Sequence, residues 1–186
     1  MFLLSMQNKE NRYRKGLDMI RWTYYPNSTK LPTHLEDVIA VFENNENIIT
    51  SDANSLKSDE VLACVSSALE SVGYRVEKSK TKCDLIRIPV LYGENGIETL
   101  AFEVDAYNDA MRTVVEIEAG RAYTNYQFLK DFFECCMMQN ADYFCVAVRK
   151  VYHKHKDYES VCDFFSALFA SGRMSLPLKG ILVIGY

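Results

Sequence analysis

Four carboxylates make the stretch from Phe102 to Gly120 the part of the sequence best suited to chemistry. The stretch predicts two alternating strands joined by a turn, and side chains two positions apart on a strand point to the same side. Carboxylates that converge on one face repel each other unless a cation lies between them, and Mg²⁺ is a hard cation that prefers oxygen ligands. The four acids on the two expected strands are Glu103, Asp105, Glu116 and Glu118.

The expected hairpin separates the roles of these acids. A turn at residues 109–110 places Asp105 opposite Val114 and diagonal to Glu116. Diagonal neighbours on paired strands lie about 7–8 Å apart, a distance from which two carboxylates can reach one metal ion. Glu103 is then peripheral.

Such a metal would acidify a bound water and hold a phosphate oxygen. The backbone carbonyl of Ile117 is a further candidate oxygen ligand, and Glu118 is placed to orient or deprotonate the water. The alternative is a solvent-exposed hairpin with a polar outer face. Because the segment 112–118 is otherwise strongly apolar, its glutamates would be costly to bury without a partner, which favours the metal site.

The rest of the chain predicts the elements that must position this hairpin. Apolar spacing and capping residues predict one helix near 34–44 and another from Ser58 to Gly73, and a third helix follows at 161–169. Together they describe an α/β fold, a mixed central sheet flanked by helices. Further strands are expected at 74–77, 85–92, 143–148 and 180–185.

A long helix is expected near 122–139, directly after the acidic hairpin. We expect Asp131 to lie on its solvent-exposed side. Phe128 and Phe132 are expected to widen its buried side. The residues expected to form its buried stripe are Tyr126, Leu129, Phe133, Cys136 and Met137.

This order of elements resembles the PD-(D/E)XK nuclease superfamily, in which a helix precedes a hairpin carrying Asp and Glu-x-Lys. Asp105 matches the aspartate of the motif, and Glu116 and Glu118 match its second half. Glu118 replaces the usual lysine, as in the BamHI-type branch of restriction endonucleases. The resemblance covers roughly residues 58–150.

The resemblance implies a restriction-endonuclease-like fold and a DNA endonuclease that depends on Mg²⁺ or Mn²⁺. Asp105 and Glu116 would bind the metal, and the acid of the family's first helix maps loosely to Glu60. Arg121 follows the motif at the expected start of the next helix, where anions bind, so it is a candidate contact to the scissile phosphate. The alternative for Arg121 is a salt bridge at the helix start.

The expected organisation is an N-terminal helical extension or arm at 1–57 and a nuclease-like α/β core at 58–186. A homodimer is expected because cutting both DNA strands usually requires two active sites. Two other functions stay open: a catalytically inactive DNA-binding or protein-interaction module on the same fold, and a glycosidase with paired carboxylates.

Composition limits the remaining classes. A net charge of −4 argues against a passive nucleic-acid binder, whose surface is usually basic. The six cysteines form no CxxC pair and are expected to be buried and reduced. The first residues are too short for a signal-peptide core and no run is long enough to span a bilayer, so the sequence predicts a cytoplasmic protein.

Two basic motifs are open to more than one interpretation. Lys78, Lys80 and Lys82 alternate before the core strands, and predict either a solvated loop or a groove that contacts phosphates. His153 and His155 are too few nearby ligands for a zinc site and predict a surface loop.

Overall fold

A computed structural model describes residues 20–81, 83–120, 122–123 and 125–186. Two residues named above, Lys82 and Arg121, lie outside the described residues, as does the first part of the proposed N-terminal arm at 1–19.

A six-stranded mixed sheet forms the centre of the molecule. Its strands, in their order across the sheet, are β1 Arg21–Tyr25, β8 Gly180–Gly185, β7 Tyr143–Val148, β6 Thr113–Glu118, β5 Ala106–Asn108 and β2 Arg75–Val76. The three middle strands β6, β7 and β8 run parallel, while β1, β5 and β2 are each antiparallel to their neighbour. β7 and β8 are almost wholly apolar because helices cover both of their faces.

Four helices flank this sheet, two on each face, which confirms the α/β class. They are α1 Thr33–Ile49, α2 Ser58–Ser71, α3 Gln127–Met137 and α4 Asp157–Ser171. α1 and α2 pack on one face, against residues such as Val115 and Ile117 of β6. α3 and α4 pack on the other face, with Val114 of β6.

A separate two-stranded ribbon is formed by β3 (Ile86–Tyr92) and β4 (Glu98–Val104). The first strand of the expected acidic hairpin is therefore two strands, β4 and β5, that belong to different sheets. The chain bends at Asp105, between the last residue of β4 and the first residue of β5. This bend puts Asp105 at the edge of the central sheet.

The turn between β5 and β6 is longer than the sequence predicts, and the expected register is wrong. Asn108 pairs with Thr113, and the side chain of Asn108 stabilises the intervening turn by accepting a hydrogen bond from the N–H of Met111 at 2.9 Å. The ladder continues to Ala106 opposite Val115, so the next pair of positions is Asp105 and Glu116.

The buried face of α3 also differs from the expected one. Phe128, Phe132 and Cys135 are fully buried, whereas Phe133 is 44% exposed and Met137 is 50% exposed. Both sides of this helix carry apolar residues, so their spacing alone does not choose the buried side. Contacts choose it, because the ring of Phe132 packs against Phe165 of α4 at 5.3 Å between centroids.

The described part of the proposed arm is integrated with the rest of the chain. β1 pairs with β8 along its whole length, and α1 shares a hydrophobic core with α2. The boundary expected at residue 57 therefore does not coincide with a break in the packing of residues 20–186. All six cysteines are free thiols, Cys135 and Cys145 being buried and Cys83 exposed. Within the described ranges, no helix is both long and apolar enough to cross a membrane.

Candidate active site

Three acids lie in one row across the edge of the central sheet. Val76 pairs with Ala106, and Ala106 pairs with Val115, so the next positions on β2, β5 and β6 are Glu77, Asp105 and Glu116. The backbone continues this row, because the N–H of Glu77 donates to the carbonyl of Asp105 at 2.8 Å. Directly opposed residues point to the same face of a sheet, so the carboxylates of Asp105 and Glu116 converge on the face that α3 covers. Glu77 instead lines a second cavity with Asp59 and Leu62 of α2.

Asp105 is held in place by the neighbouring strand. The N–H of Ile117 donates to its Oδ2 at 2.8 Å. The side chain is crowded by protein while keeping partial access to solvent. Burial raises the pKa of Asp105 from 3.8 to about 6, and this hydrogen bond and the charge of Lys80 offset only part of the rise. The hydrogen bond from Ile117 and the charge of Lys80 therefore do not fully offset the cost of burying the ionised carboxylate of Asp105.

Glu116 and Glu118 follow on the same face of β6. Burial raises the pKa of Glu116 well above its ordinary value, and the nearby charge of Asp105 raises it further. Burial also raises the pKa of Glu118, and the second cause is the charge of Asp131. The shared direction of these shifts means that the acids compete for insufficient positive charge.

Asp131 is the fifth member of this acidic cluster, and the sequence pattern placed it wrongly on the solvent-exposed side of its helix. It lies on the buried face of α3 and forms a hydrogen bond with Glu118. Lys130 is the nearest cation, 3.5 Å from Oδ1, but Oδ2 is buried without a hydrogen-bond partner. Its spacing of three and four residues from Phe128 and Cys135 is the signal that would have indicated burial.

Glu77 and Lys80 were also missed as members of the site. The Glu77 side chain is almost fully buried, and its Oε1 lies 2.6 Å from Nζ of Lys80. The same ammonium lies 3.9 Å from Oδ1 of Asp59 and lowers the pKa of Asp105. Lys80 therefore brings a positive charge to the edge of the acidic row, whereas Lys78 pairs with Glu70 on α2.

The other predicted site residues lie elsewhere or outside the described ranges. Glu60 is exposed at the start of α2, where its Oε2 accepts the N–H of Lys57 at 2.7 Å, so it caps this helix. Arg121 lies outside the described residues, and α3 begins at Gln127. Gly120, which follows β6, has φ +100°, a backbone conformation that favours glycine.

The donor set suits a hard divalent cation in its chemistry, although its side chains are not arranged as a finished coordination shell. Among the described residues, no three Asp, Glu, His or Cys side chains are grouped closely enough to hold a metal ion as they stand. All the candidate donors are oxygens, their pKa values are raised by crowding, and Asp131 leaves one buried oxygen unpartnered.

A cavity of about 750 Å³ adjoins the acidic cluster at the carboxyl ends of β6 and β7. Glu118 and Ala119 line it from β6 and the turn that follows, and Arg149 lines it from the end of β7. In sheets with parallel strands, ligands commonly bind outside the carboxyl ends of those strands. Glu118, the cluster member that lines the cavity, thus borders a space large enough for part of a substrate.

No protein-family model matches this chain, and a search of curated proteins finds no similar sequence. What the site can do is therefore argued from its own residues.

Proposed function

We propose that this protein is an endonuclease that hydrolyses DNA phosphodiester bonds with Mg²⁺ or Mn²⁺, on a restriction-endonuclease-like version of the α/β fold. The observation that carries the proposal is the row of Glu77, Asp105 and Glu116 beside the Glu118–Asp131 pair. Five acids at one sheet edge, next to a cavity, favour a site that works with a bound cation over a merely polar surface.

Asp105 and Glu116 would hold the cation, with the backbone carbonyl of Ile117 as a further oxygen ligand. When bound, the cation would supply Lewis-acid stabilisation of the phosphate and acidify water. Glu118 orients the attacking water and accepts its proton. The raised pKa of Glu118 suits this role, because a general base works best when its pKa is near the working pH.

Two further residues complete the proposed site. Asp131 positions Glu118 through their shared hydrogen bond, so it acts through Glu118 and not on the substrate. Arg121 stays a candidate contact to the scissile phosphate, at a position outside the described residues.

A homodimer is part of the proposal because cleavage of both strands needs two sites. The outward side of α3 supports it, since Phe133 and Met137 leave apolar surface exposed beside the site. Sedimentation velocity would test it, and a purely monomeric protein with full double-strand cleavage would contradict it.

The decisive experiment compares cleavage of plasmid and of short duplex DNA in Mg²⁺ or Mn²⁺. Asp105→Ala and Glu116→Ala should abolish cleavage, and Asp131→Asn should reduce its rate about 10–100-fold. Glu103→Ala is the matched control, because Glu103 is an exposed acid on β4 and should be dispensable. Calorimetry with Mn²⁺ should show binding to the wild type and to Glu103→Ala, and none to Asp105→Ala or Glu116→Ala.

Equal cleavage by the wild type and Asp105→Ala would overturn the proposal. DNA binding with neither Mn²⁺ affinity nor cleavage would instead identify the catalytically inactive module.

A further inference from the structure

The cavity beside the acidic cluster has a cationic side that the proposed chemistry does not use. Glu118 belongs to the cluster and forms one wall of the cavity. Lys57, at the start of α2, and Arg149 and His153, after β7, also line it. Three cationic or potentially cationic side chains from two separate segments thus meet beside the residue proposed to activate water.

The acids of this cavity have partners, whereas its cations do not pair with acids. Asp59 lies 3.9 Å from Nζ of Lys80, and Glu118 is hydrogen-bonded to Asp131. Within the described ranges, Lys57, Arg149 and His153 form no ion pair. This arrangement leaves positive charge available to an anion that enters the cavity.

Backbone geometry fixes one of these cations at the cavity. The ring of Tyr152 packs so closely on Gly120 that a Cβ there would clash with Cε2 of the ring. Tyr152 and His155 exchange two backbone hydrogen bonds of 2.8 Å, closing a tight turn. His153 and Lys154 in this turn have φ values of +44° and +72°, which are uncommon for residues other than glycine. The turn therefore holds His153 beside the segment that follows Glu118.

We propose that this cavity binds a backbone phosphate of the DNA strand next to the phosphodiester that is cut, with Lys57 and His153 as its contacts. The inference rests on the proposed nuclease function, and it adds a binding position that the acidic cluster does not supply. A phosphate contact orients the strand without reading its sequence. A free nucleotide offers the same chemical group, so the test must separate these two sources.

The test measures binding of a fluorescein-labelled DNA duplex by anisotropy, in EDTA, at roughly 50 to 200 mM salt. Lys57→Gln with His153→Gln should reduce the slope of log K against log[salt] by about 0.9, the value for one phosphate, and Lys57→Gln alone should reduce it by part of that. Ser55→Asp, which adds an acid to the cavity lining, should weaken binding without removing a cation.

Lys154→Gln is the matched control, because Lys154 lies in the same turn and does not line the cavity. Its slope should equal that of the wild type. An equal loss of slope in Lys154→Gln and Lys57→Gln would overturn the inference, since it would indicate general surface attraction. Tight binding of deoxyadenosine monophosphate that Lys57→Gln abolishes would also overturn it, in favour of a nucleotide site.

Failure of this inference differs from failure of the proposed function. A wild type that cleaves DNA, with salt slopes unchanged in the cavity variants, would refute the phosphate position alone. A wild type that neither binds nor cleaves DNA would refute both.

Discussion

Replacing Asp105 by asparagine is expected to stabilise the protein while removing its proposed activity. The oxygen of an asparagine can still accept the hydrogen bond that Ile117 donates to Oδ2 at 2.8 Å. The substitution therefore removes the charge without removing this contact. Burial and the neighbouring acids Glu77 and Asp131 make that charge unfavourable, and they raise the pKa of Asp105 to about 6.

The sign and size of the effect follow from this pKa. Between about pH 4 and pH 6 the folded protein retains a proton on Asp105 that the unfolded chain releases, so the free energy of unfolding falls as the pH rises. A rise in pKa from 3.8 to about 6 corresponds to about 3 kcal/mol. Partial solvent access reduces our expectation to about 2 kcal/mol. At neutral pH, Asp105→Asn should therefore raise Tm by about 4–8 °C.

Urea unfolding in EDTA from about pH 4 to pH 7.5 measures this effect, with Glu103→Gln as the control for loss of an exposed acid. The wild type should lose stability across this range, while Asp105→Asn should lose less. Added Mn²⁺ should reverse the order, because only the wild type binds it. A wild-type stability that is flat or increases from pH 4 to 7, or an Asp105→Asn no more stable than Glu103→Gln, would refute the reasoning.

Two other substitutions test the elements that position the site. Gly120→Ala should destabilise the protein by about 1–3 kcal/mol, because alanine disfavours φ +100° and its Cβ would meet the Tyr152 ring; an unchanged Tm would contradict the packing described. Phe132→Ala should cost about 3–5 kcal/mol by urea unfolding, whereas the matched Phe133→Ala on the exposed side should cost less than about 1 kcal/mol. Equal effects would mean that α3, and with it Asp131, is turned differently.

Much of the fold could be predicted from local patterns. The apolar strand predicted at Tyr143–Val148 has the bounds found, and the strand at Gly180–Gly185 likewise. Both are buried on two faces, so every position had to be apolar or small. The ends of α1 and α3 were predicted less well, because helix ends depend on capping contacts and on the preceding turn.

The register of the acidic hairpin could not be predicted with the same success. It depends on the length of one turn, which the side chain of Asn108 and the positive φ of Arg112 extend beyond the two residues expected. The two-residue turn expected from the sequence put Asp105 opposite Val114. The longer turn of the structure places Asp105 directly opposite Glu116.

The sequence by itself determined that Asp105, Glu116 and Glu118 belong together, because a hairpin brings residues near in the chain onto neighbouring strands. Only the tertiary structure decided that Glu77 and Asp131 join them. Glu77 arrives through the pairing of β2 with β5, a long-range contact. Asp131 arrives because α3 buries one of two apolar sides, and that choice is made by the sheet and α4 against which it packs.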